Sequence, residues 1–135
     1  MQTLLGFDFG LQRIGVAVGQ VITRTATALS TIRTRDGQPD WESISKVIQT
    51  WQPDALILGL PRLADGGISD FTQQVRRFAR QLEGRYHLPV HTIDEHLSSR
   101  TASDLQAHEA GTKGSDAVAA RIILQDWLDT HNGIK

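Results

Sequence analysis

A chain of 135 residues with a net charge of −1 is long enough for one core of ordinary size and too evenly charged to hold a polyanion by bulk attraction. The absence of cysteine excludes disulfide frameworks and thiolate chemistry, and no stretch approaches the roughly 20 apolar residues of a membrane-spanning helix. The opening MQTLLGFDFG carries no basic segment and no cleavage site, so no export signal is expected and the cytoplasm is the expected location.

In chain order, Leu4 to Phe9 and Ile14 to Val18 are predicted strands joined by the turn Gly10-Leu11-Gln12-Arg13. A β-branched run from Thr25 to Thr34 predicts a third strand, and Arg35-Asp36-Gly37-Gln38-Pro39 a turn. Ile44, Val47, Ile48 and Trp51 recur at helical spacing, placing a helix from about Asp40. Ala55 to Leu60 is continuously apolar, as buried parallel strands are, and Pro61 to Gly67 reads as a loop. Phe71, Val75, Phe78 and Leu82 predict a second helix, with Arg76, Arg77 and Arg80 towards its other faces. Val90 to Ile93 is a short last strand ending in Asp94-Glu95. A helix from about Ser99 to Glu109, a Gly/Lys/Ser loop and a final helix from Ser115 to about His131 complete the chain. With no repeat or linker, residues 1–135 are expected to form one domain. The order predicts an α/β fold with a mixed five-stranded sheet, a three-stranded antiparallel meander plus parallel strands, flanked by helices. It resembles the ribonuclease H-like architecture.

Three acids stand out within this order. Asp8 sits in the apolar run LLGFDFGLQRIGVAVG, where a charge is costly unless paired or coordinated. Strand alternation puts Leu4, Gly6, Asp8 and Gly10 on one face, and small neighbours are expected to clear space beside the acid. The tripeptide Asp8-Phe9-Gly10 matches a kinase metal-binding motif, but the chain lacks the glycine loop, lysine and catalytic loop that go with it. Asp94 and Glu95 leave the carboxyl end of a strand, where open α/β sheets place ligands; spacing alone does not choose between them. Asp116 heads the stripe Ala120, Ile123 and Trp127 of the last helix. Near a helix start it also suits the dipole, with Ser115 as a good cap. Three carboxylates at the mouths of separate elements suit one or two hard divalent cations and phosphodiester hydrolysis.

The pieces FDFGLQRIGVAVG, LILGLPRLADG, DEHLSS and KGSDAVAARIILQDWL resemble, in order and spacing, the four motif blocks of the YqgF family. These are described as pre-16S rRNA nucleases or Holliday-junction-resolvase-like proteins, and the resemblance covers nearly the whole chain. It implies a bacterial cytoplasmic nuclease of ribonuclease H-like fold that uses Mg²⁺ or Mn²⁺ and matures the 5′ end of 16S rRNA. It places catalytic, metal-holding acids at Asp8, Glu95 and Asp116, and so favours Glu95 over Asp94. Arg13 matches the basic residue after the first strand; Gly59 to Pro61 with Asp65-Gly66 match the loop beside the site. The chain departs from the pattern at Leu11 and Gln12, where threonine and often lysine stand, and at His96, where arginine is usual. Its Ala110 to Ser115 segment is also shorter.

A polyanion meeting a chain of slightly negative charge needs a local basic patch, for which Arg13, Arg62, Arg76 and Arg77 are the candidates. Among the basic residues eleven are Arg and three Lys, a bias that suits bidentate phosphate contacts and equally a GC-rich coding sequence. The expected partner is nucleic acid, a pre-16S rRNA or ribosomal precursor or branched DNA, with no membrane and a monomeric or homodimeric protein. Other readings are a Holliday-junction resolvase acting on DNA and a non-catalytic nucleic-acid-binding assembly factor. An actin- or hexokinase-type nucleotide binder shares the opening acid, glycines and hairpin but needs a second domain, for which this length has no room.

Overall fold

The computed structural model describes residues 3–10, 12–35, 38–62, 70–96 and 115–130, with residues 61, 62, 95, 96 and 115 described for their backbone. Strands β1 (Thr3–Asp8), β2 (Arg13–Gln20) and β3 (Thr25–Arg35) form the antiparallel meander. Strand β5 (Ala55–Arg62) pairs parallel with β1, and β6 (Val90–His96) parallel with β5. Helix α1 (Trp41–Trp51) precedes β5, α2 (Asp70–Tyr86) precedes β6, and α3 (Ser115–Thr130) is the last element described. The architecture is the expected mixed α/β sheet with helices.

The sheet has six strands rather than five, in the order β4-β3-β2-β1-β5-β6. The addition is β4 (Gln38–Pro39), a two-residue ladder on the end of β3 inside what reads as a turn. Two residues carry no periodicity, and a proline, having no N–H to donate, is at home on such an edge. Strands β5 and β6 also run further than their apolar patterns: Leu60, Pro61 and Arg62 pair with Asp94, Glu95 and His96. Pro61 and Arg62 thus end a strand rather than begin a loop, and Asp94 and Glu95 lie within β6. The predicted helix from Ser99 to Glu109 and the turn Asp65-Gly66-Gly67 lie outside the described residues.

Alternation along the strands divides the apolar residues between two layers. Leu5, Phe7, Leu56 and Leu58 face α1 and α2, meeting Ile44, Val75, Phe78 and Leu82. Leu4, Ala17, Ala55 and Ile57 face α3 and its Ala120, Ile123, Leu124 and Trp127. Helix α1 begins at an Asp40 cap, to which the Ser43 N–H (3.3 Å) and Ser43 Oγ (2.8 Å) both donate. The Ser43 hydroxyl, then its N–H, holds the Asp40 carboxyl below its ordinary value.

What positions α3 is a track of small residues on β1 and β2. A Cβ on Gly6 would lie 2.9 Å from Leu124 Cβ, and one on Gly19 2.9 Å from Leu124 Cδ2. On Gly15 it would lie 1.8 Å from the Asp116 carbonyl oxygen. The helix backbone therefore rests on the strand at Gly15. Gly6, expected to open space beside Asp8, is instead filled by the helix. Further along, the Gln125 side chain accepts from Ala26 N (3.0 Å) and donates to Arg24 O (2.8 Å), tying α3 to the β2–β3 hairpin.

Gly15→Ala forces the start of α3 off the sheet and should cost at least about 2 kcal/mol, as overpacking a rigid contact does. Gly84, inside α2, is the control, because a Cβ added there would meet nothing within 4 Å. Gly84→Ala should gain about 0.5–1 kcal/mol from helix propensity. Urea unfolding measures both, and a Gly15→Ala variant of wild-type stability would show that α3 is not seated there.

Candidate active site

Asp8 ends β1 and shares its face of the strand with Leu4 and Gly6, both of which pack against α3. Its partner in the antiparallel ladder is Gly15, the residue on which the Asp116 backbone rests. Two carboxylate-bearing residues, 108 positions apart by their numbers, are thus carried to one place by a single close backbone approach. Asp116 is the second residue of α3, where the helix dipole favours a negative charge.

Arg13 opens β2 two residues before Gly15, so alternation gives it the same side of the sheet. Its Nε donates to Asp116 Oδ2 at 3.0 Å, with the arginine side chain 61% and the aspartate 30% exposed. A pair this open contributes up to about 1 kcal/mol. Its larger effect is local, setting a cation against the acids and orienting Asp116. The turn behind it is firmly held. Thr34 N donates to Gln12 O (2.9 Å) and Thr34 Oγ1 to Gly10 O (3.3 Å). Gly10 is required there, since a Cβ would lie 2.5 Å from Arg13 O.

Register separates the two acids of β6. His91 stacks against Trp127 of α3 with ring centroids 5.6 Å apart, and Ile93 packs on the α3 layer. Position 95 continues that alternation, whereas position 94 follows Val90, which packs in the α1–α2 layer. Asp94 therefore falls on the α1–α2 side of the sheet, while Glu95 is described for its backbone only. Phe7, Leu58 and Thr92 lie in one row across the sheet. Asp8 is one residue past that row and Glu95 three, two strands or about 10 Å to the side. Among the described residues no three His, Asp or Glu side chains gather as a metal-ligating group.

The other arginines are elsewhere. Arg62 ends β5 and is described for its backbone only. Arg76 and Arg77 are on α2, across the sheet from Asp8 and Asp116. Arg77 lines a cavity there with Phe9 and Phe78, while Arg76 does not. Sequence reasoning missed Gly15 and the pairing of Arg13 with Asp116. The hairpin's turn length, which sets Asp8 opposite Gly15, was the one available signal.

The family model described as "RuvX: Holliday junction resolvase" matches residues 2–130. A Pseudomonas putida protein named "Putative pre-16S rRNA nuclease" is 44% identical over 137 residues, covering 97% of each chain. One of the same name from Hydrogenovibrio crunogenus is 47% identical over 129 residues, 93% of this chain and 92% of its own. Among solved structures, Thermus thermophilus RuvC in complex with a Holliday junction substrate superposes with a TM-score of 0.55 at 15% identity, covering 98% and 97% of the two chains. The fowlpox virus Holliday junction resolvase gives 0.55 at 14% identity, covering 95% and 99%. At such identities the likeness is one of fold.

If Asp8 and Asp116 share one electrostatic environment, Arg13 and Asp8 are coupled through it. Removing Asp8's charge relieves repulsion that Arg13 offsets, so Arg13→Ala should cost less in an Asp8→Asn background than in the wild type. The double-mutant cycle, read by thermal melts in metal-free low-salt buffer, should show a coupling above about 0.5 kcal/mol that shrinks at high salt. Strict additivity at low salt would separate the two sites.

Proposed function

The chain belongs to the RuvX family of Holliday junction resolvases, and on that footing we propose that it is a metal-dependent nuclease maturing the 5′ end of pre-16S rRNA. RNA is preferred to branched DNA because the relatives named for pre-16S rRNA match at 44% and 47% identity over nearly the whole chain. The solved resolvases share its fold at 15% identity or less. The observation that supports the reading is the close approach of the Asp116 backbone to Gly15, the ladder partner of Asp8.

The donor chemistry fits Mg²⁺ or Mn²⁺, because these are hard oxygen ligands from three separate elements. Asp8, Glu95 and Asp116 are the residues that would hold one or two such ions. When bound, the ions supply an activated water and charge compensation at the leaving oxygen. The protein's own part is to hold the acids before substrate arrives, on two strand ends and a helix start fixed by backbone contacts. Arg13, whose side chain is largely exposed, serves Asp116 in the resting protein and a substrate phosphate when one is present. Bidentate guanidinium geometry suits both partners. The chain acts as a single nuclease domain in the cytoplasm. A cut on both strands of a branched substrate would call for a symmetric pair of copies, so its mass in solution bears on the choice of substrate.

Asp8→Asn should abolish Mg²⁺- or Mn²⁺-dependent cleavage of a pre-16S rRNA fragment while leaving the metal-free melting temperature unchanged or slightly higher. Full activity in that variant would remove Asp8 from the mechanism.

Binding is tested apart from cleavage, in Ca²⁺, across a salt series. Each lost phosphate contact lowers the slope of log affinity against log salt by roughly 0.7 on single strands. Arg13→Ala and Arg62→Ala are each expected to do so. If neither changes affinity or slope, the polyanion reaches the acids by another route.

A further inference from the structure

On the opposite side of the sheet from Asp8 and Asp116 lies a half-open cavity of about 760 Å³, within the range that holds small ligands. It is bounded by the end of β3, by β4 and by α2. Phe9 and Phe78 form its floor, with ring centroids 5.0 Å apart. Its walls carry Gln12, Arg35, Gln38, Gln74, Arg77 and Gln81. None of this belongs to the site of the acids.

The lining has a definite chemistry. Arg35 and Arg77 bring two guanidinium groups, and no carboxylate stands among the lining residues described. Neither arginine has an ion-pair partner among the described residues. Four carboxamides surround them, each able to donate and to accept. A bare anion would need only the arginines, and an apolar ligand would leave the carboxamides unpaired at a cost. An anionic group joined to a ring edged with both donors and acceptors uses both sets. That is a nucleotide.

The cavity is joined to the acids by one turn. Gln12 lines it, and the next residue, Arg13, reaches Asp116 on the other side of the sheet. Thr34 pins that turn through both Gly10 and Gln12 and is itself a lining residue. We propose that this cavity receives an unpaired nucleotide of the substrate strand, a few nucleotides from the bond at the acids, with the strand crossing the sheet end over the β1–β2 turn. The proposal rests on the nuclease reading for the course of the strand, and on the cavity alone for the ligand's chemistry. It gives the enzyme a reason to favour single-stranded flanks over continuous duplex.

The test is heteronuclear NMR of the labelled protein in EDTA, so that cleavage plays no part. It is titrated separately with an unpaired 12-nucleotide RNA, a duplex of the same sequence, a nucleoside 5′-monophosphate and inorganic phosphate. The unpaired RNA should shift the side-chain amides of Gln12, Gln38, Gln74 and Gln81 together with the Nε–H signals of Arg35 and Arg77. Arg35→Ala/Arg77→Ala should remove those shifts, weaken RNA binding at least tenfold and lower its salt slope by roughly 1.4, two single-strand contacts. Arg35→Gln/Arg77→Gln repeats the measurement with bulk retained. Equal shifts from the duplex, carboxamides that stay silent, or an effect that phosphate alone reproduces would each overturn the proposal. A mononucleotide binding more tightly than the RNA would overturn it too, marking a site for free nucleotide. Failure of the nuclease reading shows differently: cavity shifts with RNA in EDTA, but no cleavage when Mg²⁺ is restored.

Discussion

The contact between the start of α3 and Gly15 is the constraint on which the rest depends. A strand and a helix backbone come together there so closely that no side chain fits between them. Glycine costs conformational entropy in a strand, and here that cost permits the one approach that sets Asp116 beside the strand pair Asp8–Gly15. Gly6 and Gly19 extend the same seat along the helix, with Leu124 filling the space above both. Gln125 closes it at the far end through Ala26 and Arg24. The position of the acids is thus a consequence of backbone packing more than of any side-chain interaction between them.

The sheet divides the protein chemically as well as physically. One side, under α3, carries Asp8 and Asp116, the latter paired with Arg13. The other, towards α2, carries guanidinium and carboxamide groups around an aromatic floor. The two acids and the guanidinium groups of Arg35 and Arg77 are thus kept apart across the sheet end, each in its own electrostatic environment. Among the described residues the β1–β2 turn brings the two sides within a residue of each other, and it is hydrogen-bonded to the buried Thr34 on β3.

The same turn is where this chain departs from the YqgF pattern it resembles. Leu11 lies outside the described residues, but Gln12 has a definite surrounding: its carbonyl is held by Thr34, and the residue lines the cavity. With a neutral carboxamide in place of a lysine, the cationic groups lining that cavity are those of Arg35 and Arg77. Arg35 carries no sequence signal of its own, being one arginine among several at the end of a β-branched strand. Only the folding back of β4 and the placement of α2 bring it opposite Arg77.

From the sequence alone the meander, the parallel strands, the helices α1, α2 and α3 and the α/β class were all legible, because burial imposes periodicities of two and 3.6 that composition cannot hide. The unusual acid in an apolar strand was legible for the same reason, as was the family from its four blocks. The extra strand β4 and the extended ends of β5 and β6 were not, since pairing there comes from neighbouring strands and not from any apolar pattern. Asp94 and Glu95 could be separated by resemblance but not by spacing, because adjacent strand residues differ only in the face they take. That Gly6, Gly15 and Gly19 are filled by the last helix rather than open, and that Arg13 answers Asp116, were decided by the tertiary structure. Those are relations between residues far apart in the chain, and only the seating of a helix on a sheet sets the distances that determine them.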